Sequence, residues 1–319
     1  MELKNKNILI TGGAGYLGKA LVKKLHKDNK IVVYSRDEAK HYFLTKEFPN
    51  VECVIGDVGD AKRLEEVSGD YEIDTGIFCA SLKQIEACDK NPEEAAKTIL
   101  QGALNSKNVA KSLNFESACF ISTDKACAPS TYYGQLKAAA ETSFVYKGKV
   151  KNGLRTRFSS CRYGNVVAST GSAYKLMHDA VEKDYGLTLF SPEMTRFFIT
   201  VEDAVDLVLI SLTHSNQVII PKLNSYSIKD SFELFAERFG LNYKMGTPRP
   251  NEKIHEVMIS AEELPRTCPH SVKNIDYFTL EQSVTGFRSQ FANNEFSSRD
   301  VVITKDQLRK FLENHNWFE

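Results

Sequence analysis

Short apolar runs recur along the first half of the chain, each closed by turn residues, and the stretches between them carry apolar positions at helical spacing. The runs at residues 7–10, 31–34, 51–55, 73–79, 118–121 and 158–162 read as strands buried on both faces, since a half-exposed strand alternates polar and apolar residues instead. Helical segments separate them. That alternation predicts an α/β fold with a doubly wound parallel sheet. Asn91-Pro92-Glu93-Glu94 offers a capping Asn, a Pro at the first helical position and acids in the first turn, which predicts a helix from there to about Ser112.

From about residue 166 the alternation weakens. Short pieces with turn residues, such as Ser191-Pro192 and Gly246 to Pro250, mix with helices expected at 201–213 and 229–239. This predicts a dinucleotide-binding domain over residues 1–165, to which 195–222 return, and a smaller substrate-binding lobe made mainly of 166–194 and 223–319.

At 319 residues and 42% hydrophobic, the chain can bury one large core or two intimate ones. Lys plus Arg and Asp plus Glu each count 41, so no basic surplus exists to neutralise nucleic-acid phosphates or an anionic membrane. The seven cysteines include no C-x-x-C pair and lie mostly in apolar runs, which fits a reduced compartment. No apolar run approaches a membrane span, and the chain passes from Met1 through charged residues into the first strand; a cytoplasmic protein is expected. The scattered histidines form no metal set.

Chemistry enters with Gly12, Gly15 and Gly18 directly after the first strand. The first glycine makes the tight turn, the second admits a pyrophosphate and the third lets helix and strand approach, the opening of a Rossmann unit. Tyr16 and Leu17 lie at the helix start, where free N–H groups favour an anion. At the end of the second strand, where an acid would bind a ribose 2'-hydroxyl, stand Ser35 and Arg36. These suit a 2'-phosphate, so NADP is expected rather than NAD. Asp37 would serve NAD if the strand ended two residues later. Asp57 and Val58 after the third strand, and Ala80, Ser81 and Lys83 after the fourth, are candidate contacts to the rest of the cofactor; Asp57 is equally a turn former.

The fifth strand opens into Thr123, Asp124 and Lys125, and after Pro129 a helix capped by Ser130 or Thr131 carries Tyr133 and Lys137 on one face. Spacing alone is weak evidence. Tyr42 and Lys46 share it and read as a solvated helix face. The strand end and the glycine turn make residues 133 and 137 candidates for chemistry. Arg162 to Asn165, Arg196, and Arg249 with Glu252 supply guanidinium forks suited to a diphosphate, and Lys83 and Asn165 join them as candidate substrate contacts.

Thr123, Asp124, Lys125, Tyr133 and Lys137 together resemble the extended short-chain dehydrogenase/reductase superfamily, and within it the inverting UDP-N-acetylglucosamine 4,6-dehydratases that also epimerise C5. The resemblance spans residues 11–18, 35–38, 81–84, 122–126, 162–166, 194–197 and 249–256. Asp-Lys at 124 and 125 is its most discriminating feature, because sugar-nucleotide dehydratases that retain C5 carry Asp-Glu there. Phe78, Ser81, Gly59 and Asn251 depart from the family pattern, and the membrane-spanning extension of longer relatives is not seen.

The resemblance implies that Tyr133 deprotonates the sugar 4-hydroxyl, with Thr123 bonded to the same group, as hydride passes to NADP+. Ionising a tyrosine near neutrality requires a shift of roughly 3 pKa units, expected from Lys137 and the nicotinamide. Lys125, largely neutral, would remove the C5 proton while Asp124 protonates the departing 6-hydroxyl. Hydride returns to C6, and C5 is reprotonated on the opposite face. The implied product is UDP-2-acetamido-2,6-dideoxy-beta-L-arabino-hexos-4-ulose, made by a homo-oligomer for deoxy-amino-sugar and polysaccharide synthesis. A UDP-sugar 4-epimerase, a retaining dehydratase and a non-catalytic NADP sensor are the alternatives; the Asp-Lys pair opposes the first two, and the intact Tyr133 and Lys137 oppose the third.

Overall fold

The structure is a computed structural model that describes residues 3–146, 156–248, 250–283 and 295–318. Six strands of the first half, β1 (Asn7–Thr11), β2 (Lys30–Ser35), β3 (Val51–Ile55), β4 (Thr75–Phe78), β5 (Ser117–Ile121) and β6 (Arg157–Cys161), pair in parallel in the spatial order 3-2-1-4-5-6. Each coincides with an apolar run. Gln217–Pro221 adds a seventh parallel strand beside β6.

The sheet is buried on both faces because β1 alternates between two cores rather than between core and water. Ile8 and Ile10 pack with Leu21 and Val22 of helix α1 (Tyr16–Leu25) and with the Val201–Ser211 helix. Leu9 faces the other way, onto the Ala61–Asp70, Gly102–Ser112 and Tyr132–Val145 helices. Each such side chain contributes about 1.5–3 kcal/mol on leaving water. The helix expected from residue 92 to 112 is continuous but underwound at Lys97–Gln101, a single π-type turn between Pro92–Ala96 and Gly102–Ser112. Asn91 does not cap it: its side-chain amide donates to the Ala87 carbonyl at 2.9 Å, so the preceding helix has taken the residue.

Beyond residue 166 the chain places its strands in several sheets, among them two of two strands each, Leu187–Leu189 with Tyr243–Met245 and Val257–Ile259 with Phe296–Ser297. Asn165–Val166, Thr195–Ile199 and Ser225–Ser227 form a separate three-stranded sheet over a core that includes Tyr174, Phe198, Tyr226, Phe235 and Leu308. The hairpin Thr267–Val272/Ile275–Leu280, from the stretch expected to lie mainly in the smaller lobe, instead extends the large sheet antiparallel beside Gln217–Pro221, giving nine strands. Its two-residue turn places Lys273 and Asn274 at φ 50 and 66. That turn geometry is usually signalled by glycine, and Lys-Asn gives little warning of it.

Candidate active site

Because β1 to β6 are parallel, their carboxyl ends and the loops that follow lie along one edge of the sheet. Gly12 turns there at φ +67, and a Cβ on it would stand 3.0 Å from the Ala80 backbone. A Cβ on Gly18 would meet Gly12 O and Gly13 Cα at 2.5 Å, so α1 packs against the turn only because this residue has no side chain. No acid occupies the first turn of α1 and Gly15 caps it without a side chain. The helix start therefore presents free N–H groups to a phosphate, and this glycine cradle fits a dinucleotide. Among the other expected cofactor contacts, Tyr16 donates to Val167 O at 3.2 Å, Ala80 N–H reaches Thr11 Oγ1 at 3.3 Å, and Ser81 donates to Leu82 O at 2.8 Å. Leu17 packs against the core from the first turn of α1. Val58 is buried in the opposite core.

At the end of β2, Arg36 Nη1 lies 2.9 Å from Glu94 Oε1 and 3.8 Å from Asp57 Oδ2. Asp57 is further held by the Gly59 N–H at 2.8 Å and Lys97 at 3.1 Å. Ser35 Oγ is 2.6 Å from His41 Nε2. Asp37, the open alternative for a ribose hydroxyl, is engaged elsewhere: it caps the Glu38–Glu47 helix through Lys40 N–H and pairs with the Lys40 ammonium at 2.6 Å.

The reacting groups converge beyond β5. Ser122 and Asp124 N–H groups donate to Cys161 O and Tyr163 O at 2.8 and 3.0 Å, which stitches this loop to the end of β6. Thr131 caps the Tyr132–Val145 helix by accepting from Gly134 N–H, and Tyr133 and Lys137 are both buried on it. Asp124 is fully buried; its Oδ1 accepts from Thr123 Oγ1 at 2.9 Å and Lys125 Nζ at 3.0 Å, while Oδ2 is buried with no partner. Burial, reinforced by Glu256, pushes its carboxyl above the usual range despite the Lys125 charge. This carboxylate therefore takes up a proton more readily than a free one, as a general acid must.

Lys125 departs from expectation. Burial works against its charge, but Asp124 at 3.0 Å and Glu256 at 3.3 Å outweigh it and hold the amine above the ordinary lysine value, so it is an ammonium here, not a neutral amine. Tyr133 departs too. Burial pushes it up to about 12; the main opposing charge is Lys125, with a smaller lowering from the nearby Thr123 hydroxyl. Lys137, expected to supply that influence, donates to Ile121 O at 2.8 Å, lies over the Phe120 ring at 4.6 Å, and is itself pushed down to about 8 by burial.

On the substrate side, Arg196 and Glu252 come together, Nη2 to Oε1 at 3.3 Å, with Arg196 Nη1 also donating to Thr195 O and Ile254 O at 2.8 and 3.0 Å. Glu252 Oε2 is buried without a partner. Lys83 donates to Thr170 O at 2.5 Å, and Asn165 hydrogen-bonds the buried Tyr226. Arg249 lies outside the described residues. Arg162 is no diphosphate fork: it is 1% exposed, and its nitrogens are taken by Glu141, Glu263 and Met258 O at 2.5–3.0 Å.

Sequence reasoning missed Glu256. Nothing near it in the chain signals its role, since it reaches Lys125 from a distant loop. Among the described residues, no group of His, Cys, Asp and Glu could hold a metal, and no helix is long and apolar enough to cross a membrane.

A parallel sheet with a glycine cradle at its first turn and a Tyr/Lys helix beside its fifth strand defines an extended short-chain dehydrogenase/reductase of the NAD(P)-dependent type. Comparison narrows this further. The chain belongs to the polysaccharide biosynthesis protein family, whose model matches residues 8–275. It is 38% identical to UDP-N-acetylglucosamine 4,6-dehydratase (inverting) of Campylobacter jejuni, over 88% of this chain and 84% of that one. It is 32% identical to UDP-glucose 4-epimerase of Rickettsia massiliae, over 97% of this chain and 99% of that one. Among solved structures, Pen from Bacillus thuringiensis superposes with a TM-score of 0.89 at 25% identity, covering 98% of this chain and 100% of that one.

Proposed function

We propose that this protein is a hydro-lyase, a UDP-N-acetylglucosamine 4,6-dehydratase that inverts C5. The observation that carries the reading is the buried Asp124, with one free oxygen, bonded at 3.0 Å to the Lys125 amine beside the buried Tyr133. An epimerase needs the tyrosine but has no use for an acid and a base held together. Similarity to the Campylobacter enzyme supports the same choice.

Residues 1–165, with 195–222, hold the cofactor in this reading, and 166–194 with 223–319 mainly hold the sugar nucleotide. Gly12, Gly15 and Gly18 receive the pyrophosphate and Ser35 with Arg36 the 2'-phosphate, which favours NADP. When bound, the nicotinamide supplies a reversible hydride acceptor. Tyr133 takes the proton of the 4-hydroxyl, steadied by Thr123. Burial holds the phenol at about 12 in the protein alone, with Lys125 as the main charge pulling it down, and the positive charge of a bound oxidised nicotinamide would lower it further. With its proton passed to Asp124 across their hydrogen bond, Lys125 then takes the C5 proton, the electron pair of that C–H bond becomes the C5–C6 double bond, and the C6 oxygen leaves as water with the proton from Asp124. With the hydride that a bound reduced cofactor would return to C6, protonation of C5 from the face opposite Lys125 gives the 6-deoxy sugar and sets the L configuration.

Incubation with UDP-N-acetylglucosamine and UDP-glucose, with products identified by mass and NMR, tests this. A 4-keto-6-deoxy product of L-arabino configuration is expected. A C4 epimer with no loss of water, or a product retaining D at C5, would reject it.

A further inference from the structure

One buried carboxylate has no part in the chemistry above. Glu256 is 3% exposed and leads into the strand Val257–Ile259. Its backbone is pinned on both sides, N–H to Ser298 Oγ at 2.9 Å and carbonyl from Ser298 N–H at 2.8 Å. Its side chain presents Oε1 to Lys125 Nζ at 3.3 Å and to Arg196 Nε at 3.8 Å, and its Oε2 is buried with no partner. Lys125 thus lies between two carboxylates from separate parts of the chain, each with one unpartnered oxygen. Leaving buried carboxylate oxygens unpaired costs free energy, and a purely structural ion pair would gain nothing from it.

We propose that Glu256 is a positioning residue of the acid–base pair: it holds the Lys125 amine against Asp124 and keeps a fixed negative charge beside the proton that those two share. The proposal rests on the dehydratase reading. Asp124 and Lys125 need one proton between them. Acid plus free amine has the same proton count as carboxylate plus ammonium, and the 3.0 Å bond lets the proton cross from Nζ to Oδ1. Elimination then puts the C5 proton on Nζ and the Asp124 proton on the departing oxygen, which restores the resting pair. In the resting pair Glu256 is ionised: burial opposes this, but the charged Lys125, Arg196 and Lys253 together hold its carboxyl below the usual range, and Arg196 and Lys253 keep their charges when the Lys125 proton crosses. Its charge raises the proton affinity of both partners.

The test is Glu256→Gln, which keeps size and removes charge. The groups facing the pair are Thr123, Glu256 and Arg196, with Glu252 behind Arg196, and Tyr133 and Tyr226 feel the Lys125 charge. Without the Glu256 charge Asp124 takes its second-proton state only at lower pH, so the acid limb of the kcat profile moves down by about one unit or more. With it, kcat falls about tenfold or more while KM for the UDP-sugar changes less than about threefold. Glu256→Asp keeps the charge but not the reach, so its acid limb stays with the parent as kcat falls. An unmoved limb in Glu256→Gln, or a limb moved in Glu256→Asp, overturns the assignment, and the Asp variant decides alone if the Gln variant does not fold. The parent is assayed alongside: failure to form a 4-keto-6-deoxy sugar would count against the dehydratase reading itself, whereas a competent parent matched by Glu256→Gln would count only against Glu256.

Discussion

Lys137 donates its ammonium to the carbonyl of Ile121, the last residue of β5, at 2.8 Å. The helix that carries Tyr133 is therefore pinned to the strand whose next residues are Thr123, Asp124 and Lys125, and the tyrosine is set against the acid–base pair by a bond that lies outside the reaction. Burial pushes Lys137 down to about 8, against about 10.4 for a free lysine. Between those values the unfolded chain binds the proton and the folded chain does not, so this group makes stability rise with pH across that window. Lys137→Met removes the titration. Denaturation curves of parent and variant should thus diverge in the parent's favour from pH 8 to 10, by up to about 1.4 kcal/mol per unit; a gap that is constant with pH contradicts the assignment.

Tyr133→Phe removes a proton acceptor and almost no contact area. Turnover should fall by at least about a hundredfold while UDP and NADP affinities, measured by calorimetry, stay near the parent's. Activity within about threefold of the parent would assign the base elsewhere.

Arg36 is already paired with Glu94 and Asp57, so a 2'-phosphate has to compete for it. Arg36→Ala should weaken NADP more than NAD by about 1.5–3 kcal/mol, the worth of a charge-assisted bond. Glu94→Gln should do the reverse and tighten NADP selectively. Titration of both cofactors against both variants checks this, and equal changes for NADP and NAD would sink the NADP reading.

Lys125→Ala removes the C5 base yet leaves Tyr133 and Thr123 to act at C4. Water loss should stop, with a trace of reduced cofactor accumulating, followed by the absorbance of the reduced nicotinamide. In deuterated water the parent should place deuterium at C5 of its product. Deuterium-free product from the parent would remove Lys125 from its role.

Arg162 ties Glu141 of the Tyr133 helix to Glu263 and Met258. Arg162→Met strands the buried Glu141 and the partly buried Glu263, which costs about 3–5 kcal/mol when one partner of a buried pair is lost. A urea midpoint unchanged from the parent would show that the network contributes little.

The order of apolar runs and glycine turns was enough to read the parallel sheet and its cradle, because strands buried on both faces and a turn that excludes every side chain but hydrogen leave local marks. The loop at 123–125 and the Tyr133/Lys137 helix were legible for the same reason: each is a short segment whose residues act together. What lay beyond the sequence depends on contacts between segments far apart. Asn91 follows a cap rule locally, yet the preceding helix takes its amide. Arg162 and Arg196 look alike in the chain, and only packing buries the first between Glu141 and Glu263 and sets the second against Glu252. The protonation of Lys125 follows from Asp124 beside it together with Glu256, a carboxylate far along the chain, and the second of these charges has no signature in the residues around the lysine.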